Sequence, residues 1–115
     1  MLRNSTKAIA IVEDVRIAES FFGRLRGLMF EHRSDFNYAL VMPLSQDSRI
    51  RASIHMLFVF FPIAVFFVDE KKRVVDKALL KPFALNYTPK KPCRYIIELP
   101  QEKFSCAEVG DLLEW

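Results

Sequence analysis

The hydrophobic positions of this chain are densest at 56–68, where no residue is polar. A membrane-spanning helix needs about 20 apolar residues, whereas this run is shorter, contains Pro62 and is closed by the charged segment 69–73. A buried helix would lose a hydrogen bond at the proline. Because the run is rich in β-branched and aromatic side chains, extended chain is favoured. We therefore predict two strands, 54–60 and 63–68, with Pro62 at the bend between them.

The second of these strands has no polar face. Successive side chains of a strand point to opposite faces, and the residues at 63, 65 and 67 are as apolar as those at 64, 66 and 68. Such a strand lies inside a structure and is covered on both sides. We expect the rest of the chain to cover it, and a homodimer is the alternative to complete covering within a monomer.

Apolar runs separated by turn residues predict further short strands around this centre. They are 7–12 with a continuation at 15–18, 38–42 ended by Pro43, 73–80, 94–99 ended by Pro100, and 112–115. The charged turn 69–72 joins two strands in a hairpin. One helix is predicted at 20–26, with Ser20 as its N-cap and Gly27 after its end. A single helical turn is expected within 101–108.

Six or seven short strands with one main helix define an α+β fold that is mostly β. We predict a partly closed β-barrel or a sandwich, with the helix packed on it. The 115 residues suffice for a single domain, residues 1–115, with one core. With 51% apolar and 27% charged residues, the composition excludes a disordered chain.

Charge and cysteine content indicate a cytoplasmic protein. The net charge of +3 is spread along the chain, and the first residues lack the apolar core of a signal peptide. Cys93 and Cys106 are too few for a disulfide framework. These cysteines, with His32 and His55, lack the close spacing of a zinc site. We therefore expect no metal, no cofactor and no membrane.

No catalytic constellation is present, since phosphate loops, nucleophile elbows and zinc-protease helices are all missing from the sequence. The candidate ligand-binding residues are His55, Arg24, Arg26 and Tyr87. His55 lies at the mouth of the apolar run and would titrate near neutrality. The two arginines lie near the end of the predicted helix, and Tyr87 lies in the loop 81–92.

Two acidic residues are interpreted as structural. Asp111 follows Gly110, where a short polar side chain bonds to turn backbone. Glu98 is expected to pair with Arg94 or with a cross-strand lysine at the surface, a contact worth under about 1 kcal/mol.

Three functions remain open at this point. The first is a non-enzymatic, small β-barrel-like module that binds a small ligand or a protein partner through the loops 31–37 and 81–92. The second is a nucleic-acid-binding protein that uses basic turns, with Tyr87 and Tyr95 as stacking residues; it is less favoured because acidic residues lie among the basic ones. The third is an enzyme of unknown reaction with a site near His55 and Arg24.

An ordered set of residues also resembles one known family. The set is Ala18, Ser20, Arg24 and Gly27-Leu28-Met29, then Met56 and Pro62-Ile63, then Asp69 and Val74-Val75, then Tyr95-Ile96-Ile97-Glu98-Leu99 and Gly110-Asp111. Over nearly its whole length the chain resembles the domain of unknown function 192 family, also called uncharacterised protein family 0127. Ser-Ile-His-Met followed by Phe-Pro-Ile is similar to its archaeal branch. The resemblance implies a compact, mostly β domain and no known activity; many relatives have Asp in place of Ala64.

Overall fold

In the computed structural model, residues 1–18, 32–48, 60–83 and 87–115 are described, and they form two β-sheets. The strands are β1 (Leu2–Asn4), β2 (Ile9–Val12), β3 (Val15–Ile17), β4 (Ala39–Ser48), β5 (Ile63–Val68), β6 (Val74–Leu80), β7 (Cys93–Pro100) and β8 (Leu113–Glu114). Two 3-10 helices, Arg33–Asp35 and Gln101–Cys106, accompany them. The fold of the described part is therefore mostly β, as the sequence predicts.

The apolar strand β5 lies inside the larger sheet, whose strand order is β3-β4-β7-β5-β6. All six of its residues are buried. It pairs antiparallel with β6 on one side and with β7 on the other. The predicted strand bounds, the hairpin to β6 and the interior position are all confirmed.

The two faces of the larger sheet hold two separate apolar clusters. We call them the odd face, which carries Ile63, Val65 and Phe67 of β5, and the even face, which carries Ala64, Phe66 and Val68. The even face packs against Leu2, Ile11 and Leu113 of the smaller sheet, so the two sheets share one core as a sandwich does.

The smaller sheet brings the two ends of the chain together, because its strand order is β2-β1-β8. Asn4 at the end of β1 donates through Nδ2 to Asp111 Oδ2 at 2.8 Å and to the carbonyl of Cys106 at 3.0 Å. Asp111 also accepts the backbone N–H of Glu108 at 3.0 Å. The structural interpretation of Asp111 is confirmed.

The prediction of a partly closed barrel is wrong for the described ranges, which form two open sheets with eight strands rather than six or seven. The extra strand is β1, whose three residues are too few to show an alternating pattern. The predicted helix at 20–26 lies outside the described residues, as does nearly all of the predicted strand 54–60. Only Phe60 of that strand is described; it is outside any strand and 59% exposed.

Pro43 does not end its strand, and the predicted end there is wrong. β4 continues to Ser48, although its pairing with β7 becomes irregular after Pro43. The parallel pairing with β3 stops at Val41. Proline lacks a backbone N–H, so it is tolerated where one side of a strand makes no hydrogen bonds to a neighbouring strand. From Pro43 onward β4 pairs with β7 alone among the described strands, which accommodates the proline.

Candidate functional site

Four polar side chains are buried in the described part of the chain: Asn4, Asp76, Glu98 and Asp111. Asn4 and Asp111 bond to each other and to nearby backbone. Asp76 accepts three hydrogen bonds. Glu98 differs from these three, because its Oε1 atom is buried and has no hydrogen-bond partner.

The sheet register places Glu98 at the centre of the odd face. It belongs to β7, the middle strand of the five, and lies directly opposite Leu40 of β4 and Val65 of β5. Directly opposed residues share one face of a sheet, and both of these neighbours are in the apolar cluster of the odd face. The carboxyl group therefore has an aliphatic side chain on either side, and Glu98 is only 5% exposed.

This environment changes the acid–base behaviour of Glu98. Burial raises the pKa of its carboxyl group to about 7, because the charged form loses its hydration. At neutral pH the group is therefore divided between its protonated and ionised forms. A group with this behaviour can bind a cation when ionised and can donate a hydrogen bond when protonated.

The predicted surface pairing of Glu98 with Arg94 or a lysine is wrong. Arg94 instead contacts Glu70, with 3.7 Å between Nη2 and Oε2. The sequence contains a signal for burial that becomes decisive only with the strand order. Ile96 and Glu98 are two residues apart in a strand and therefore share a face. Because Ile96 is an apolar residue that faces the core, Glu98 faces the core as well.

Tyr87, the one predicted site residue that the structure describes, anchors a loop to the odd face. Its hydroxyl donates to Asp76 Oδ2 at 2.8 Å, and its ring stacks on Phe67 with centroids 5.5 Å apart. Asp76 also accepts the backbone N–H of Lys90 at 3.1 Å. Burial, followed by the hydrogen bond to Asp76 and its charge, raises the pKa of Tyr87 to about 12. Tyr87 is thus held in place by its own neighbours.

The other predicted site residues, His55, Arg24 and Arg26, lie outside the described residues, and their role stays a prediction. The two proposed stacking residues are not brought together. Tyr87 packs on the odd face, whereas Tyr95 packs on the even face with its ring edge-to-face against Trp115 at 5.0 Å. A single stacking platform made of both tyrosines is therefore ruled out.

Three basic residues in or beside the predicted turns contact groups of the protein itself. Arg73 donates to the carbonyl of Gly110 at 2.6 Å. Lys77 donates to Glu108 Oε1 and to the carbonyl of Phe104, each at 3.1 Å. Lys72 lies 4.3 Å from the centre of the Trp115 ring. These contacts give Lys72, Arg73 and Lys77 partners within the protein, and the nucleic-acid hypothesis stays a prediction.

A concave feature lies beside the edge strand β2. It is a groove of about 410 Å³. Its lining consists of Met1, Ala10, Ile11, Val12, Glu13, Phe36, Asn37, Pro100, Glu102 and Lys103. Its charged residues are Glu13 and Glu102, which are exposed, and Lys103, which is half-buried; none of its lining residues has a buried side-chain oxygen or nitrogen that lacks a hydrogen-bond partner.

In the described ranges, no three side chains of His, Cys, Asp or Glu lie close enough to hold a metal ion. None of the described helices is long and apolar enough to span a bilayer. The cytoplasmic location and the choice between monomer and homodimer stay predictions.

Comparison with known proteins identifies the family. The model of the DUF192 family, described as an uncharacterised ACR, matches residues 2–115. The chain belongs to this family. It is 44% identical over 115 residues to a UPF0127 protein of Pyrococcus furiosus, covering 97% of this chain and 95% of the relative. It is 42% identical over 117 residues to a UPF0127 protein of Thermococcus sibiricus, covering 100% of this chain and 74% of the relative.

Two solved structures share the fold. One, from Sinorhizobium meliloti 1021, is described as a proposed transcription regulator; its TM-score is 0.78 at 17% identity, covering 87% of this chain and 79% of that one. The other, of unknown function, is from Novosphingobium aromaticivorans; its TM-score is 0.76 at 18% identity, covering 88% and 74%. At these identities the likeness concerns the fold alone. The recognised family is confirmed, and its function is uncharacterised.

Proposed function

We propose that this protein is a non-enzymatic binding module whose small-molecule ligand contacts Glu98 on the odd face of the larger sheet. The observation that carries the proposal is the buried Oε1 atom without a hydrogen-bond partner. A buried polar group that lacks a partner costs about 1–3 kcal/mol. The fold itself does not require a carboxyl group between Leu40 and Val65, since an aliphatic side chain would fill the same position.

The remaining buried polar residues support this interpretation by contrast. Each of Asn4, Asp76 and Asp111 joins parts of the chain distant in sequence or fixes a turn. Their hydrogen bonds account for their presence in the interior. Glu98 has no comparable structural contact at Oε1, and a ligand that donates a hydrogen bond would supply the missing partner.

A binding function is favoured over an enzymatic one by the surroundings of Glu98. The neighbours across the sheet are aliphatic, and the nearest described carboxyl group on this face, Asp76, lies beyond β5 and is bonded to Tyr87. General acid–base catalysis needs a second positioned group near the reacting atom. On the described part of the odd face, Glu98 is the one carboxyl group with a buried oxygen that lacks a hydrogen-bond partner, and its apolar setting suits recognition of a ligand.

Thermal-shift screening of the whole chain against a mixed library of small amines, alcohols and acids tests the proposal. A ligand that binds only the folded state raises the unfolding temperature. We expect at least one compound to stabilise the wild type and Glu102→Gln, and to have little effect on Glu98→Gln. Glu102 is the matched control because it is an exposed glutamate at the separate groove. Ligands that depend on Glu102 and are indifferent to Glu98 would contradict the proposal.

A further inference from the structure

We propose that the ligand at Glu98 is an organic cation, an ammonium or guanidinium group carried on an apolar body; this rests on the proposed function. Among the described side chains, the Glu98 carboxyl group is the buried group that lacks a hydrogen-bond partner. When it is ionised, it accepts hydrogen bonds. The strongest partner for a buried carboxylate is a charged donor. The apolar body follows from the side chains that surround the carboxyl group.

The charges on the odd face favour a cation. Two carboxyl groups, Glu98 and Asp76, lie on this face. The described cation nearest in register is Arg16 of β3, which lies opposite Leu40 and so one strand beyond it. Arg16 is engaged elsewhere, with Nε 3.4 Å from Asp14 Oδ2 and its guanidinium 3.8 Å above the Tyr38 ring. Arg94, which is on the same face, contacts Glu70, so no described cation forms an ion pair with Glu98, and a ligand cation would supply that charge.

The apolar neighbours define the rest of the ligand. Beside Glu98 in the same strand is Ile96, and across the strands are Leu40, Val65 and, diagonally, Phe67. All four side chains are at most 9% exposed, so a ligand that reaches Glu98 enters an apolar interior, which binds the hydrocarbon part of an amine, and an aromatic ring also attracts a cation. A hydrated metal ion is a poorer match, because Ca²⁺ and Mg²⁺ require about six oxygen ligands.

Calorimetric titration with three probes of equal size tests the charge requirement: benzylammonium, benzyl alcohol and benzoate. We expect benzylammonium to bind the wild type at least about tenfold more tightly than the alcohol, and benzoate not to bind. Glu98→Gln should reduce the affinity for benzylammonium by about tenfold or more and leave the alcohol little changed. Glu102→Gln should behave as the wild type. Circular dichroism of each variant checks that it is folded.

The pH dependence gives a second readout. The pKa of Glu98 is about 7; the other described titratable or charged groups on its face are Asp76, Tyr38, Tyr87, Cys93, Arg16 and Arg94, and the pKa of Tyr87 is about 12. Benzylammonium stays protonated from about pH 6 to 8. Lowering the pH across this range protonates Glu98, so we expect the affinity to fall by about tenfold in the wild type. The Glu98→Gln variant should show no such fall, which assigns the pH dependence to Glu98.

The possible results distinguish the two proposals. If benzyl alcohol binds as tightly as benzylammonium and Glu98→Gln weakens both, the cation assignment is overturned while a site at Glu98 stands. If benzylammonium fails to bind at about 10 mM, the cation assignment is also overturned, whatever the library screen finds. If ligands bind and Glu98→Gln affects none of them, both proposals fail.

Discussion

Glu98 shows how the period of a strand decides the environment of a charged side chain. The segment 94–99 contains Arg and Glu at positions that are four residues apart, which favoured a surface pair. The same spacing places both on the face that carries Ile96. Because β7 is the middle strand, its central residues are buried on either face, and only the strand order, which the sequence does not state, shows that Glu98 is among them.

The stability of the protein should depend on pH through this residue. The pKa of Glu98 rises from its ordinary value of 4.5 to about 7 on folding. Between these values the folded protein holds a proton that the unfolded chain releases. The free energy of unfolding should therefore fall as the pH rises from about 4.5 to 7, by about 3 kcal/mol in total. Urea unfolding at several pH values measures this.

Replacing Glu98 by methionine should remove the fall in unfolding free energy that the wild type shows as the pH rises. We expect Glu98→Met to be more stable than the wild type above about pH 7, by about 1–3 kcal/mol, and to gain little near pH 4.5. Glu102→Gln provides the comparison for an exposed glutamate. Destabilisation by Glu98→Met at every pH would mean that the carboxyl group holds the fold together, which would remove the main support for a ligand site.

The sequence suggested Tyr87 as a ligand-binding residue because of its ring, whereas in the structure its hydroxyl donates a hydrogen bond to Asp76. Tyr87→Phe removes the donor to the buried Asp76 Oδ2 and keeps the stacking on Phe67. We expect a loss of about 1–2 kcal/mol in unfolding free energy. Tyr95→Phe is the control, since the described residues show a ring contact and no hydroxyl bond for Tyr95. Equal effects of the two substitutions would contradict the anchoring role of Tyr87.

At the scale of elements, the strand β5 was predictable because its composition favours a single structure, a buried strand. Six consecutive apolar residues followed by a charged turn define a buried strand and its hairpin. The short strands were less predictable. β1 has three residues, and β4 runs through a proline that usually ends a strand. Both depend on pairing with strands distant in sequence, which local patterns do not encode.

The even face of β5 should dominate stability. Phe66 is fully buried between the two sheets, so we expect Phe66→Ala to cost about 3–5 kcal/mol. Leu79 of the neighbouring strand β6 is 51% exposed, and Leu79→Ala should cost under about 1 kcal/mol. Chemical denaturation of both variants gives the comparison. Similar losses would indicate that β5 is not the centre of the core.

At the scale of the whole molecule, the smaller sheet joins the two ends of the chain, because β1 pairs with β8. The hydrogen bond from Asn4 and that from the backbone N–H of Glu108 lower the pKa of Asp111. A lowered carboxyl pKa stabilises the fold above the unfolded value of about 3.9, and that stabilisation is lost as the pH falls through the folded value. Acid should therefore weaken this junction.

Asn4→Ala tests the junction directly. It removes donors to Asp111 and to the Cys106 carbonyl, both in a largely buried setting, and we expect a loss of about 2–4 kcal/mol. Asn37→Ala, at an exposed asparagine, should have little effect. The loss from Asn4→Ala should become smaller as the pH falls through the lowered folded-state pKa of Asp111, below which Asp111 is protonated in both states. An undiminished loss there would show that the charge of Asp111 contributes nothing.

The family and the general architecture were thus within reach of the sequence, and the candidate site was not. Barrel closure and strand count depend on long-range pairing. The isolation of Glu98 depends on which side chains face it across β4 and β5. A candidate chosen by residue type, such as Tyr87, gave a structural anchor, whereas a residue assigned to the surface became the centre of the site.

The most direct test of the account is nuclear magnetic resonance of the whole protein, with ¹³C-labelled glutamate carboxyl groups, during titration with a ligand from the screen. We expect the largest change at the Glu98 carboxyl carbon, accompanied by changes at the Leu40 and Val65 methyl groups that lie on either side of it. If the changes instead cluster at Glu13 and Glu102 beside the groove, with Glu98 unaffected, the ligand site lies there and the account is wrong.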